Sequence, residues 1–136
     1  MKIFITSSFK GSDNKEGIEN LCKIVRNAGF EDFHFIRDIE HYEKTFSDPK
    51  ELMKRAKEEI NKCDALLFDA TEKSTGRALE VGIAYCLGKR IIVIMKEGTK
   101  IKDTLRGVAD IIITYKEIND IAKDLGGYLK NRCLKR

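Results

Sequence analysis

The sequence predicts an α/β domain in which a parallel five-stranded sheet lies between two layers of helices. Five short runs rich in Ile, Val, Leu and Phe alternate along the 136 residues with segments whose apolar positions recur every three or four residues. Apolar runs of this kind, separated by helices, are typical of strands covered on both faces of a sheet. The length suits one domain spanning residues 1–136.

The first half of the chain supplies two strands and two helices. The opening strand is predicted at 2–6 ("KIFIT"), and the helix that follows at 15–28. Gly29 suits the end of this helix, because glycine readily adopts the left-handed conformation found there. A shorter strand is predicted at 33–36 ("FHFI"). The next helix begins at Pro49, since a first helical residue does not use its N–H.

The second half repeats the alternation, beginning with a strand at 65–70 ("ALLFDA"). The remaining predicted elements are a helix at 76–88, a strand at 90–95, a short helix at 100–109, a strand at 110–115 and a closing helix at 117–132. Right-handed crossovers leave few arrangements for five such strands. We therefore expect a flavodoxin-like three-layer sandwich with strand order 2-1-3-4-5.

The predicted strand order also indicates where a ligand binds. In such sheets the site lies beyond the carboxyl ends of the strands, where the winding direction reverses, here between strands one and three. The loops that meet there are "SSFKGSD" and "TEKSTG". Their hydroxyls, glycines and backbone N–H groups at helix N-termini favour an anion such as phosphate. The candidate ligand-binding residues are Ser7, Ser8, Lys10, Gly11, Ser74 and Gly76. Alternatively, these are solvated turns with capping serines.

Glu80 is the candidate catalytic residue. It lies about one turn into the helix after the third strand, where the helix N-terminus favours an ionised carboxylate. Mostly apolar residues surround it in "STGRALEVGIA". Two ordinary alternatives are an exposed helix glutamate and an ion pair with Arg77. Its place beside the predicted anion loop favours a functional role.

Composition excludes several other classes. The net charge of +4 comes from interspersed charges, and no basic stripe with interleaved aromatics indicates a nucleic-acid polymer as partner. The four cysteines, Cys22, Cys63, Cys86 and Cys133, lack metal-binding spacing, so no metal or other cofactor is predicted. Neither a signal peptide nor a membrane-spanning run is visible, and the expectation is a cytoplasmic protein with no membrane partner.

Residues 63–94, "CDALLFDATEKSTGRALEVGIAYCLGKRIIVI", resemble the nucleoside 2-deoxyribosyltransferase-like family. The matching positions are Asp64, Ser74, Glu80, Gly82, Ala84, Gly88 and Lys89. "KIFITSSFKG" is similar to the family's first strand and phosphate loop, and "LRGVAD" (105–110) to a later segment. The pattern is nearest to that of deoxyribonucleoside 5′-monophosphate N-glycosidases.

The resemblance implies cleavage or transfer of the N-glycosidic bond of a nucleoside or its 5′-monophosphate, with Glu80 attacking the anomeric carbon. It implies a homodimer whose partner subunit contacts the site through Lys102 or Thr104. A serine at position 74 accompanies monophosphate substrates in the family. The residue types suit this chemistry, because a carboxylate stabilises an oxocarbenium-like transition state and an acid must protonate the departing base.

Two positions depart from the family pattern. A second carboxylate commonly lies eight residues before the "aD" aspartate, and here that residue is Ala56. The candidates to replace it are Asp69, or else Asp38, Glu40 and His41 in the loop after the second strand. A second class of function, a non-catalytic nucleotide-binding module, is therefore kept as an alternative.

The other departure is Phe9, which stands where the nucleotide-specific branch has an arginine, although Lys10 adjoins it. A receiver domain or a flavodoxin is a third class. "FITSS" lacks the paired acids of a receiver domain, and few aromatic residues are available to flank a flavin.

Overall fold

The computed structural model describes residues 1–9 and 14–135, with side chains as far as residue 128. Five strands alternate with helices. The strands are β1 (Lys2–Thr6), β2 (Glu31–His34), β3 (Ala65–Asp69), β4 (Arg90–Lys96) and β5 (Ile111–Tyr115). The helices are α1 (Lys15–Asn27), α2 (Phe35–Asp38), α3 (Pro49–Lys62), α4 (Thr75–Cys86), α5 (Asp103–Val108) and α6 (Ile121–Lys135), with a 3₁₀ turn at Ile118–Asp120.

The strands form one parallel sheet in the order β2-β1-β3-β4-β5. This is the flavodoxin-like three-layer architecture that the sequence predicts, with its strand order. β1 lies between β2 and β3, so that Ile5 is level with His34 on one side and with Leu67 on the other. The carboxyl ends of these three strands therefore lie together at one edge of the sheet.

Alternating side chains of the strands divide the core between the two faces of the sheet. On one face, Ile3 and Ile5 of β1 pack with apolar residues of α1 and α6. On the other face, Phe4 packs with residues of α3 and α4, including Ile60 and Val81. The central strands β1, β3 and β4 are thus covered on both sides, which explains why each is an almost continuous apolar run.

The second strand differs from its predicted position. Residues 31–34 form β2, whereas the expectation was 33–36. The reason is His34, whose side-chain Nδ1 accepts a hydrogen bond from the Ile36 N–H and so caps α2. Phe35 is buried at the start of this short helix. Because the apolar run continues from the strand into the helix, its periodicity does not show where the strand ends and the helix begins.

Two predicted helix ends are confirmed. Gly29 follows α1 with φ of 102°, and its N–H donates to the Arg26 carbonyl. Pro49 begins α3, and the Asp48 carboxylate caps that helix by accepting from the Lys50 N–H at 3.0 Å. Within residues 1–9 and 14–135, none of the helices has the length and apolar character needed to cross a membrane.

Candidate active site

A cleft of about 420 Å³ opens at the carboxyl ends of β1 and β2. Four segments of the chain enclose it: the end of β1, the end of β2 with the loop that follows, the first half of α3, and the first two turns of α4. Its volume is within the range of small-molecule sites. It lies where the parallel sheet presents the ends of adjacent strands, the usual place for a ligand in this architecture.

Glu80 lines this cleft from the second turn of α4. Its Oε1 accepts a hydrogen bond of 2.8 Å from the hydroxyl of Thr6, the last residue of β1. Thr6 is itself buried, so the bond fixes the carboxylate against the sheet edge. Glu80 is neither an exposed helix residue nor ion-paired with Arg77, the two ordinary alternatives.

The expectation that the helix N-terminus keeps Glu80 ionised is wrong for the ligand-free cleft. Burial raises the pKa of Glu80 to about 7, and the Thr6 hydrogen bond and the Arg77 charge only partly oppose this effect. The physical reason is distance, because the field of a helix end falls off within the first turn and Glu80 lies beyond it. Glu80 therefore changes between its protonated and ionised forms near neutral pH.

Ser7 lines the same cleft, and its Oγ lies 2.9 Å from Nε2 of His34. Nδ1 of His34 already accepts from the Ile36 N–H, so the ring proton is on Nε2 and donates to Ser7. The Ser7 hydroxyl proton is consequently free to be donated to a ligand oxygen. His34 is buried, and burial lowers its pKa to about 4, so the ring stays neutral. It does not act as a base towards Ser7.

The start of α4 supplies the polar end of the cleft. Ser74 caps this helix by accepting from the Arg77 N–H, and Gly76 leaves the backbone of its first turn open. The Arg77 guanidinium donates from Nη2 to the Glu72 carbonyl at 3.0 Å. Its Nε is buried and has no hydrogen-bond partner among the described residues. Hydroxyls, open N–H groups and an incompletely bonded guanidinium together favour an anion.

The loop after β2 forms another wall of the cleft. It contains two consecutive non-glycine residues with positive φ, His41 at 51° and Tyr42 at 62°. This conformation costs free energy and places the Tyr42 ring at the cleft, 5.7 Å from the ring of Phe9. The Tyr42 hydroxyl donates to Glu19 of α1 at 2.7 Å. Glu40, half-buried, also lines the cleft from this loop.

The other predicted ligand residues lie apart from Glu80. Ser8 and Asp69 line a smaller cavity of about 220 Å³ that borders Ser7. Asp69 accepts hydrogen bonds there from Thr71 and from the Tyr115 hydroxyl. Lys102 lines a separate cleft of about 540 Å³ between α4 and α5, which shares Ser74 with the first. Lys10 and Gly11 lie outside the described residues.

Ala56, which stands where the family pattern has a second carboxylate, does not line the cleft. Ala56 is buried in the core between α3 and the sheet, whereas Leu52 and Met53, one turn earlier, line the cleft. No carboxylate of α3 therefore lines the cleft among the described residues. The same part of the chain brings no three His, Cys, Asp or Glu side chains together as a metal-binding group.

Sequence reasoning overlooked three contributors to the cleft: Thr6, His34 and the guanidinium of Arg77. Thr6 gave a signal, since a hydroxyl ending an apolar strand at the binding edge has little structural use there. His34 gave none, because its role depends on the chain turning into α2. Arg77 was considered only as an ion-pair partner of Glu80, which it is not.

Several solved structures have a similar fold. No protein-family model matches the sequence, and no curated protein matches it. A CMP N-glycosidase of Clostridium botulinum, BcmB, superimposes with a TM-score of 0.71 at 22% identity, covering 94% of this chain and 99% of that one. A 2-deoxyribosyltransferase of Bacillus psychrosaccharolyticus gives 0.72 at 21% identity, covering 90% of each chain. BlsM gives 0.69 at 19% identity, covering 96% of this chain and 90% of that one.

These similarities confirm the resemblance seen in the sequence at the level of the fold. Over nearly its whole length, this chain shares the architecture of an N-glycosidase and a 2-deoxyribosyltransferase.

Proposed function

We propose that this protein cleaves, or transfers, the N-glycosidic bond of a nucleoside 5′-monophosphate, with Glu80 as the nucleophile. The observation that carries the proposal is the half-buried Glu80 carboxylate, held by Thr6 in a cleft that also contains Ser7, Ser74 and Arg77. A carboxylate in a cleft beside anion-binding groups suits attack on a phosphorylated sugar. The enzymatic neighbours named above support a reaction of this kind.

The mechanism follows from the groups in the cleft. The Ser7 hydroxyl, the N–H groups at the start of α4 and the Arg77 guanidinium hold the phosphate. The ionised Glu80 then bonds to the anomeric carbon as the base departs with the electron pair of the glycosidic bond. Water, or a second base, displaces Glu80 and completes hydrolysis or transfer. The hydrogen bond from Thr6 orients the attacking carboxylate.

Glu80→Gln tests the proposal, because glutamine keeps the size of the side chain but cannot become a carboxylate. The protein and its variant are incubated with a panel of nucleosides and their 5′-monophosphates, and free base is measured by chromatography. We expect release from one or more monophosphates by the native protein and a loss of at least about a hundredfold in the variant. Equal base release by the Gln variant would rule out Glu80 as nucleophile.

A second candidate function is a non-catalytic nucleotide-binding module. The observation that favours it is Ala56, which leaves α3 without a carboxylate towards the cleft. Such a module binds the same monophosphates without releasing base. Calorimetric titration beside the chromatographic assay separates the two functions, since binding without release identifies the module.

The site is further proposed to be completed in a homodimer. The outer side of α4 exposes Leu79 and Tyr85, which are 55% and 54% accessible, next to the cleft that contains Lys102. Exposed apolar residues on a helix that also carries Glu80 fit a subunit contact near the site. Lys102 and Thr104 are the residues proposed to reach the partner subunit.

A further inference from the structure

The loop after β2 brings a second carboxylate, Glu40, into the cleft that contains Glu80. Its backbone is fixed: the Glu40 N–H donates to the Phe35 carbonyl at 3.1 Å, and its carbonyl accepts from the Glu43 N–H at 2.9 Å and the Thr45 hydroxyl at 3.2 Å. The Glu40 carboxylate receives no hydrogen bond from the described residues. A half-buried carboxylate without a donor is stabilised in its protonated form, and burial accordingly raises the pKa of Glu40.

Glu43 also lines the cleft but is exposed to solvent, and two further acids near the cleft are already engaged. Asp38 accepts hydrogen bonds from Arg37 and from the His34 N–H, and these outweigh burial and lower its pKa. Asp69 is bonded to Thr71 and Tyr115 in the smaller cavity. Both are therefore acceptors of existing bonds, and neither lines the Glu80 cleft.

We propose that Glu40 is the catalytic acid that protonates the departing nucleobase, a role for which α3 offers no carboxylate in this cleft. This inference rests on the proposed function. As the bond between the anomeric carbon and the base nitrogen breaks, its electron pair stays with the base, and the Glu40 carboxyl proton passes to a basic atom of that base. Glu80 forms the new bond to carbon. In hydrolysis, the Glu40 carboxylate then takes a proton from the water that displaces Glu80, which restores protonated Glu40 and ionised Glu80.

The division of roles follows from two carboxyl groups in one cleft. Burial is the largest cause of the raised pKa of Glu80, and a negative charge on Glu40 raises it further, so the two carboxyl groups lose their protons in separate steps. The active state is the singly protonated one in which Glu40 carries the proton and Glu80 is ionised. The titratable and charged side chains that line the cleft are Glu80, Arg77, His34, Tyr42, Glu43 and Lys44. His34 stays neutral. The alkaline limb of the pH profile is therefore assigned to the loss of the remaining proton of this pair.

The test compares two leaving groups in the Glu40→Gln variant. A nucleobase needs a proton in order to depart, whereas 4-nitrophenolate departs as a stable anion. We expect the variant to release base from the nucleoside monophosphate at least about a hundredfold more slowly than the native protein, and to cleave the corresponding 4-nitrophenyl glycoside 5-phosphate within about tenfold of it. Glu58→Gln, on the exposed side of α3, is the matched control and should change neither rate.

A second measurement does not depend on the synthetic substrate. The native protein should lose base-releasing activity on the alkaline side of its optimum, and Glu40→Gln should lack that limb. Glu40→Asp, which keeps a carboxyl group, should retain it with a reduced rate even where the Gln variant fails to fold. Equal losses on both leaving groups, no loss on either, or an unchanged alkaline limb would overturn the assignment to Glu40. Absence of base release by the native protein would instead overturn the proposed function, and this inference with it.

Discussion

Glu80 shows how burial decides the protonation state of a residue although one hydrogen bond opposes it. Thr6 donates to its carboxylate, yet one donor replaces only part of the solvation that the group had in water. The result is a pKa near 7 instead of 4.5. For a nucleophile this has a chemical benefit, because a more basic carboxylate is a better nucleophile once it is ionised.

The raised pKa of Glu80 predicts a pH dependence of stability. Between pH 4.5 and about 7 the folded protein retains a proton that the unfolded chain has lost, so the free energy of unfolding falls as pH rises, by at most about 1.4 kcal/mol per pH unit. Glutamine has no proton to lose in this range, so Glu80→Gln removes this fall in the free energy of unfolding. We expect the variant to match the native protein near pH 4 and to exceed its stability by on the order of 1 kcal/mol at pH 8, in urea unfolding. A Gln variant that is no more stable at pH 8 would contradict the burial of this carboxylate.

Arg77 gives a second residue-scale prediction, which concerns phosphate. Arg77→Ala should raise KM for the monophosphate by roughly ten- to a hundredfold, because a charge-assisted hydrogen bond is lost. The unphosphorylated nucleoside serves as the internal control, and its KM should not change. Arg77→Lys should recover only part of the loss, since lysine lacks the planar fork. If both substrates weaken equally, Arg77 supports the loop and does not bind phosphate.

The candidate site could be predicted from sequence where one motif carried it, and for Ser7, which the expected strand order placed beside that motif. Ser74, Gly76 and Glu80 lie within seven residues of one another, so a single helix start brings them together. Thr6, Ser7 and Glu40 reach the cleft from two other segments, and their approach depends on strand pairing and on the turn that His34 caps. Residues separated by more than thirty positions cannot be assigned to one cleft from spacing alone.

At the scale of elements, the strands were predictable because burial on both faces requires continuous apolar runs. The exception is β2, at the edge of the sheet, whose last two residues overlap an apolar run that continues into α2. α4 is less buried than its apolar sequence indicates, since of its residues only Val81 and Ala84 are fully buried. Burial in the core therefore does not explain the apolar residues on the outer side of α4.

Two glycines in and after α1 give an element-scale prediction with opposite signs. Gly29 has φ of 102°, so Gly29→Ala forces a side chain into the left-handed region and should destabilise the fold by about 1 kcal/mol. Gly17 lies inside the helix, and an added Cβ would meet nothing within 4 Å. Gly17→Ala should therefore stabilise the fold by about 0.5–1 kcal/mol. Thermal unfolding of the pair tests the account, and effects of the same sign would refute it.

At the scale of the whole molecule, the sheet order places the nucleophile and the proposed acid on opposite sides of β1. Glu80 comes from the helix after β3, and Glu40 from the loop after β2, and these strands flank β1 on either side. The cleft between them is thus a consequence of the point where winding reverses. The same topology directs the outer side of α4 to the molecular surface beside this cleft, which is why a partner subunit there could reach a ligand.

The proposed homodimer supplies the last prediction. Leu79→Ser and Tyr85→Ser remove the exposed apolar side chains of α4, so each should weaken self-association by at least about tenfold, the loss expected from truncating a central interface residue. Ile112→Ser is the matched control, because Ile112 is also an exposed large apolar residue, 39% accessible, but lies on β5. Sedimentation over a range of protein concentrations measures the effect. A native protein that stays monomeric at micromolar concentration, or an Ile112 variant that dissociates like the α4 variants, would exclude this face as the interface. If the dimer forms through α4, its loss should also lower base release, since the neighbouring Lys102 cleft would no longer meet a second subunit.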